Sequence, residues 1–411
     1  MSLSVETGEV ATPRLITLDD AEARRVMVVM SLAYALLSCS LSAQVALPEI
    51  RRTIRMTDVV TSLHGSFFGW ALLIGGLFFA KLSSSIGRAR FLAAGVVGLC
   101  AGATLFATGH VVAQTLAGAA LSGVSGAILV ITIPGLVADA FGERRSEVFT
   151  KLNAMPALAG LLFPLAVAAA PSVSLTWRWP TIVFPVVLTT AMVVLTRTLH
   201  NRERAPKATA DIGAWSVLEP LKIKAVRKRF ALQILSTSIE FAAGLWMVTY
   251  LREIVGLSRD RAPVGAAGWA LGMLVARSMV PRMITWFGPK LEMMGFAGVA
   301  VGGLILMYGH VTIIRCLAVP MISFSIGPMY TLGVERLFIR GGANPKNTGT
   351  LSSLAAVASG AAITAGPLLV GLAGDAVGLR NALWLVPIGA GVGVLLSAMQ
   401  WGGEAGRLGQ P

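Results

Sequence analysis

Long apolar stretches recur along almost the whole of this 411-residue sequence. A helix needs about 20 apolar residues to cross the roughly 30 Å hydrocarbon core of a bilayer. Twelve windows of this kind occur between charged or turn-forming residues: 26–47, 59–80, 91–109, 112–138, 150–170, 180–199, 230–252, 263–286, 292–309, 311–334, 349–374 and 381–400. Only helices and closed barrels satisfy the backbone in lipid, and apolar runs this long exclude barrel strands. The sequence therefore predicts an all-α membrane protein with twelve transmembrane helices.

The formal net charge of +14 is arranged in a way that indicates membrane orientation. A basic balance can favour nucleic-acid binding. Here, however, the Lys and Arg residues collect in short segments between apolar windows, as the positive-inside rule requires; examples are Lys81, Arg88, Arg90, Arg144, Arg145 and Arg336. We therefore predict a multi-pass protein of the cytoplasmic membrane, surrounded by lipid, with both termini in the cytoplasm and no nucleic-acid partner.

The longest polar segment after the N-terminal tail, residues 200–229, follows the sixth apolar window and divides the chain into two halves. Its alternating apolar and basic residues are compatible with an amphipathic helix on the anionic inner leaflet; a solvated linker is the alternative. The predicted organisation is a cytoplasmic tail, a six-helix bundle, a cytoplasmic linker, a second six-helix bundle and a second tail, with the ranges 1–25, 26–199, 200–229, 230–401 and 402–411.

The two halves contain similar segments about 200 residues apart. The segment from Ala80 to Arg88, after the second window, matches the segment from Pro281 to Pro289, after the eighth, in its order of basic, apolar, hydroxyl and glycine residues. Pro164 in the fifth window corresponds in the same way to Pro367 in the eleventh. Many transporters consist of two such related halves, so we expect two pseudo-symmetric bundles.

These motifs resemble those of the major facilitator superfamily of secondary transporters. The segment after the second window resembles that family's G-x-L-x-D-x-x-G-R-[KR] motif, which governs conformational change, through Leu82, Gly87, Arg88 and Arg90, with Gly288 as the counterpart in the second half. Ser84 replaces the motif's Asp, and Ala119 replaces the Arg of R-x-x-x-G in the fourth window. Gly366 and Pro367 resemble the G-P element of family antiporters. The resemblance implies two six-helix bundles and transport by alternating access.

Glu240 is the one carboxylate near the middle of a predicted span. A charge at that depth costs about 2.5–3.5 kcal/mol on insertion scales, so it indicates a functional residue. We expect Glu240 to face a central cavity and either exchange a proton or bind the substrate; a hydrogen-bonded structural glutamate is the alternative.

Other polar residues in the spans are secondary candidates. Arg315, near the outer end of the tenth span, either extends to the interface or turns inward to pair with Glu240 or bind an anionic substrate. Arg277 is expected to extend to the cytoplasmic side, and His64 to be a structural group. Uncharged or aromatic residues that would line the cavity are Gln44, Asn153, Trp246, Tyr250 and Tyr330.

The sequence as a whole favours a monomeric, proton-coupled transporter of a small organic solute, with export slightly favoured over uptake. The alternatives are proton-linked uptake of an organic anion and a non-transporting sensor or partner protein of the same fold. The chain has no GxxxxGK[ST], HExxH, CxxC or GxSxG motif, so we predict no enzyme activity, no cofactor and no metal site.

Overall fold

The computed structural model describes residues 20–141, 154–197, 214–342 and 348–408, together with residues 148 and 152. All regular secondary structure in these residues is helical. The helices of the first half are α1 (Asp20–Ser42), α2 (Leu47–Ile54), α3 (Asp58–Ile86), α4 (Arg88–Ala107), α5 (Val112–Phe141), α6 (Ala154–Ala169) and α7 (Arg178–Arg197). Those of the second half are α8 (Lys224–Glu253), α9 (Ala262–Phe287), α10 (Leu291–Tyr308), α11 (Thr312–Ile326), α12 (Met329–Arg340), α13 (Thr348–Val377), α14 (Leu379–Ala382) and α15 (Leu385–Leu408).

The described residues contain 11 apolar segments long enough to cross a membrane. One of them, Ala262–Tyr308, has 47 residues. As a continuous helix it would measure about 70 Å, more than twice the thickness of the hydrocarbon core. It consists instead of α9 and α10, joined by the short turn Gly288–Lys290. This segment therefore crosses twice, which gives twelve spans among the described residues, the number that the sequence predicts.

The two halves share a backbone feature at equivalent turns. Gly87, between α3 and α4, has φ of 95°, and Gly288, between α9 and α10, has φ of 51°. Glycine adopts positive φ without the steric cost that a Cβ adds. Both turns join the second and third spans of their half, so the sequence similarity between the two segments corresponds to a shared structure.

The end of the polar segment between the halves packs against the helices of both. The described part contains a 3₁₀ helix, Ala214–Lys222, rather than the amphipathic α-helix that the sequence suggested. Its Val217 is buried in a cluster with Leu337 and Leu354 of the second half, and Leu77 of the first half packs against that cluster. Helix α8 begins at Lys224, within the range predicted as linker.

The main contact between the halves is made by α3 and α13, whose backbones lie unusually close. A Cβ added to Gly360 would lie 2.7 Å from the carbonyl oxygen of Gly69. Ser62 and Ser66 of α3 donate hydrogen bonds to the carbonyl oxygens of Pro367 and Thr364, at 2.9 and 3.1 Å. Small residues and interhelical hydrogen bonds of this kind stabilise helix pairs in lipid, where the hydrophobic effect contributes little.

A second contact between the halves joins α6 and α9. A Cβ added to Gly160 of α6 would lie 3.9 Å from the Cβ of Ala270 of α9. Both contacts join the first bundle to the second, and a space between the bundles lies beside them. We call this space the central cleft, and it contains the candidate site.

Candidate functional site

An ion pair in the central cleft joins residues near the middle of α8 and α9. The guanidinium Nη2 of Arg277, on α9, lies 3.1 Å from Oε1 of Glu240, on α8. The Glu240 side chain is 13% exposed and the Arg277 side chain 51% exposed. Glu240 thus lies near the middle of α8 and is largely buried. Arg277 does not extend away to the cytoplasmic side as expected, because the neighbouring helix provides a carboxylate within hydrogen-bonding distance.

The position of Arg277 on its helix explains why it faces the cleft. Residues seven apart lie on nearly the same face of an α-helix. Ala270, seven residues before Arg277, contacts α6 of the other half at Gly160. Arg277 lies two turns further along that face, and its side chain is half exposed. The pair is therefore accessible in the cleft rather than sealed within one bundle.

Two tyrosines complete the polar part of the cleft. Tyr330, on α12, interacts electrostatically with both Glu240 and Arg277 and lies near Ser359 of α13. Tyr34, on α1, interacts with Tyr330 from the opposite half. Tyr330 is 39% exposed and Tyr34 is 8% exposed. The site thus includes side chains from both bundles, an arrangement that permits a bound solute to contact both halves at once.

At one end of the bundles, charged residues of the two halves pair directly with each other. We call these residues the gate cluster; they are Glu49, Arg51, Asp58, Arg252, Glu253, Arg259 and Asp375. Glu49 of the first half accepts from Arg252 at 3.0 Å and from Arg259 at 2.5 Å, both in the second half. The carboxylate of Glu49 therefore joins the two halves.

Arg51 forms a second link in the gate cluster. Its guanidinium lies 2.5 Å from Asp58 of its own half and 3.3 Å from Glu253 of the other half. Asp58 is buried, with 3% exposure. The positive charge of Arg51 thus lies between two carboxylates, one from each half.

The third link is a helix cap between the halves. The carboxylate of Asp375, near the end of α13, accepts hydrogen bonds from the backbone N–H groups of Asp58 and Val59 at 2.7 and 3.0 Å. These are the first two residues of α3, where N–H groups have no partner within the helix and the helix dipole favours negative charge. Together the three links close the gate end of the cleft.

A buried ion cluster at the other end lies within the second half. Glu292, at the start of α10, is 5% exposed and accepts from Arg229 of α8 at 2.8 Å and from Arg336 of α12. A buried carboxylate between two guanidinium groups holds three helices in a fixed relation. This cluster stabilises the second bundle as a rigid unit.

Arg315 and two of the predicted cavity residues lie away from the cleft. Arg315 donates to the carbonyl oxygen of Leu306 at 2.8 Å and to the hydroxyl of Tyr250 at 3.0 Å, whereas the partner of Glu240 is Arg277. Tyr250 is fully buried, as is Trp246, whose indole N–H donates to the carbonyl oxygen of Pro367 at 3.3 Å. In this conformation these three residues stabilise the second bundle.

The remaining candidates lie in the first half. Gln44 borders a cavity of about 30 Å³, which has room for about one water molecule. His64 lines the same cavity; its ring nitrogens lie 2.9 Å from the carbonyl oxygen of Val60 and 3.1 Å from the hydroxyl of Thr115. His64 therefore has the satisfied structural position expected of it. Asn153 lies outside the described residues.

The motif residues occupy helix ends and a helix crossing. Leu82 and Arg90 are exposed near the turn at Gly87, and Arg88 is the first residue of α4. The side chain of Ser84 lies outside the described part of the structure. Gly366 packs against the backbone of Ser238 on α8. Its neighbour Pro367 accepts hydrogen bonds from both α3 and α8, so α3, α8 and α13 meet at this point.

The sequence predicts a functional role for Glu240 but does not indicate the gate cluster. Glu49 and Asp375 are visible in the sequence only as carboxylates near span ends. The available signal is that acidic and basic residues of both halves are predicted at the same membrane face, in the segments after the first, seventh and eleventh spans. That signal indicates that these charges lie near the same membrane face. It does not indicate which charges pair.

Comparison with known proteins decides the family. The sequence profile of the Major Facilitator Superfamily matches residues 26–344. The chain belongs to this superfamily. A superfamily relative in two strains of Mycobacterium tuberculosis, the uncharacterized MFS-type transporter EfpA, is 24% identical over 348 residues. The match covers 69% of this chain and 64% of the relative, so the chain spans slightly less than two thirds of that protein's length.

Solved superfamily structures share the fold. A bacterial homologue of the human lysosomal transporter Spinster, inward-facing and unoccupied, has a TM-score of 0.75 at 13% identity, covering 93% of this chain and 98% of the other. A D-xylose-proton symporter has a TM-score of 0.70 at 15% identity, covering 92% and 97%. A peptide transporter, in complex with sulfate, has a TM-score of 0.74 at 14% identity, covering 96% of both chains. The protein is therefore a multi-pass membrane protein with the two-bundle fold of secondary transporters.

Proposed function

We propose that this protein moves a small organic solute across the cytoplasmic membrane by alternating access, driven by protons that Glu240 binds and releases. The Glu240–Arg277 ion pair in the cleft is the observation that carries this proposal. A carboxylate at mid-membrane is costly unless it is paired or protonated. Opening of the pair with Arg277 therefore favours proton uptake by Glu240, and reforming the pair favours proton release. This exchange links protonation to the occupancy of the site.

The gate cluster supports the proposed change of conformation. Under the orientation that the charge distribution predicts, with both termini cytoplasmic, the gate cluster lies on the external face. The structure then corresponds to a state closed to the outside, with the Glu240–Arg277 pair accessible from the cytoplasm. Transport requires the gate links to break as the two bundles rotate about the α3–α13 and α6–α9 contacts. We take the protein to act as a monomer, with a bundle on each side of the linker 200–229.

Accumulation in proteoliposomes tests the coupling. Purified protein is reconstituted, a proton gradient is imposed in either direction, and uptake of a candidate solute is compared with energy-independent counterflow. Wild type is expected to accumulate solute only under a gradient. Glu240→Gln is expected to keep counterflow and lose accumulation. If the Gln variant accumulated solute as wild type does, the proposed role of Glu240 would be wrong.

The same assay distinguishes the other readings of the sequence. Export, which the sequence slightly favours, predicts accumulation when the proton gradient and the solute movement are opposed. Uptake with protons predicts accumulation when both run in the same direction. A binding protein without transport activity would show solute binding and no counterflow.

A further inference from the structure

We infer that the substrate is an organic anion with a carboxylate group, and that Arg277 binds it. This inference rests on the proposed function and names the substrate class for the same site. Its basis is the unequal accessibility of the ion pair: the Arg277 side chain is 51% exposed, whereas that of Glu240 is 13% exposed. A solute that enters the cleft therefore meets the guanidinium before it meets the carboxylate.

The hydrogen bonding of Arg277 also favours an anionic ligand. A guanidinium carries five N–H donors in a planar fork that matches a carboxylate with two parallel bonds. Its bond to Glu240 is a single contact from Nη2 at 3.1 Å. The fork is thus engaged at one corner while half of the side chain remains accessible. A ligand carboxylate can approach the accessible edge in a geometry that Glu240 does not use.

The remaining groups around the pair fit the same class of ligand. Tyr330 from α12 lies near both charges, with Ser359 from α13 close by, and Tyr34 from α1 interacts with Tyr330. These groups offer hydroxyls and aromatic surface and add no second fixed charge. A cationic ligand would have to approach Glu240 past the Arg277 guanidinium, which repels it.

The charges of Glu240, Arg277 and the substrate indicate how a proton and the substrate move together. In the empty site the Glu240 carboxylate and the Arg277 guanidinium cancel. When a proton adds to the Glu240 carboxylate, the Glu240–Arg277 pair breaks. Arg277 keeps its positive charge and binds the substrate carboxylate instead of Glu240. The loaded site then contains a neutral carboxyl group and a new ion pair, so its net charge is again zero. One proton and one negative charge cross together.

This balance has two consequences for transport. The bilayer centre disfavours a net charge, so a site that stays neutral both empty and loaded meets no electrostatic barrier when the bundles rotate. Movement of a monocarboxylate with one proton is also electroneutral, so a membrane potential alone does not drive it. The proton gradient draws the anion in the direction of the protons, which favours uptake over the export that the sequence slightly favours.

The binding test uses matched ligands and matched variants. Thermal stability of the purified full-length protein is measured with a panel of carboxylate, amide and amine triplets, such as 3-phenylpropionate, 3-phenylpropionamide and 3-phenylpropylamine. At least one carboxylate is expected to raise the melting temperature when its amide and amine do not. Arg277→Gln is expected to weaken that binding at least tenfold, and Arg282→Gln, an exposed arginine on the same helix, to leave it unchanged.

Three outcomes would overturn the inference. They are stabilisation by amines or amides at least equal to that by carboxylates, carboxylate binding that survives Arg277→Gln, and no stabilisation by any carboxylate in the panel. Melting of each variant without ligand shows whether it is folded. If Arg277→Gln does not fold, Arg277→Lys replaces it, because a single ammonium lacks the two-bond geometry and should weaken binding while keeping the charge.

The transport test separates this inference from the proposed function. In proteoliposomes the identified carboxylate should accumulate under a pH gradient and not under a potassium diffusion potential of equal energy. Glu240→Gln should still bind the carboxylate, with affinity that no longer depends on pH. If Arg277→Gln lost carboxylate binding while Glu240→Gln kept wild-type coupling to protons, only the proton role of Glu240 would be contradicted. If the protein coupled proton movement through Glu240 to the transport of an uncharged solute, only the inferred carboxylate substrate class would be contradicted.

Discussion

The carboxylate of Asp375 accepts a hydrogen bond of 2.7 Å from the backbone N–H of Asp58, a residue 317 positions earlier in the chain. A side chain of the second half thus caps the first turn of a helix in the first half. A helix cap of this kind contributes about 1 kcal/mol. The contact exists only while the gate end is closed, so its free energy favours the closed gate over the open one.

Removal of this cap should shift the protein toward the open gate. For Asp375→Ala we expect a loss of about 1 kcal/mol, which corresponds to roughly a fivefold change in the ratio of closed to open molecules. Spin labels at the exposed positions Arg52 and Asp260, one in each half, report the distance across the gate. A longer-distance population should grow in the variant. An unchanged distance distribution would mean that the cap does not bias the gate.

Charge exchange should show that Glu49 and Arg252 interact directly. Glu49→Lys places a third positive charge beside Arg252 and Arg259 and should open the gate. Adding Arg252→Glu restores an opposite pair, so the double variant should recover part of the closed population. We expect a coupling energy of about 0.5–1 kcal/mol in the double-mutant cycle, measured from the same label distances. Additive effects would indicate that this ion pair contributes nothing to closure.

The close packing of α3 against α13 should not tolerate a large side chain in place of a glycine. A leucine at Gly360 would meet the backbone of Gly69 and Leu73. We expect Gly360→Leu to lower stability by about 1–3 kcal/mol and to abolish counterflow, because the two halves no longer fit along this contact. Gly391→Leu is the control, since an added Cβ there meets nothing within 4 Å. Equal effects at both positions would show that the α3–α13 contact has no special role.

Arg315 should act on stability and not on coupling. Its guanidinium bonds to Leu306 and Tyr250 within the second bundle. Arg315→Gln should lower stability by about 1–2 kcal/mol, with the pH dependence of transport unchanged. Thermal melting and transport at several pH values check the two parts. A changed pH profile in a folded variant would return Arg315 to the role of a substrate or coupling residue, as the sequence allowed.

The spans, and the position of Glu240 near the middle of one of them, could be predicted from the sequence because both depend on local hydrophobicity. The pairing of charges could not. Arg277 is one of several arginines near span ends, and nothing local indicates that α8 presents Glu240 to it. The links of Glu49 and Asp375 join residues more than 200 positions apart. Hydropathy assigns the basic residues after Lys224 to a polar linker. In the structure they form the first turns of α8, which begins at Lys224.

The most direct test of the account measures the proton that crosses with the substrate. Proteoliposomes containing a trapped pH-sensitive dye receive the solute identified by the binding screen, with protein-free vesicles as the control for passive permeation. Wild type should acidify the lumen as the solute enters, whereas Glu240→Gln should exchange labelled solute without any change in luminal pH. Acidification by the Gln variant at the wild-type rate would contradict the claim that Glu240 carries the proton.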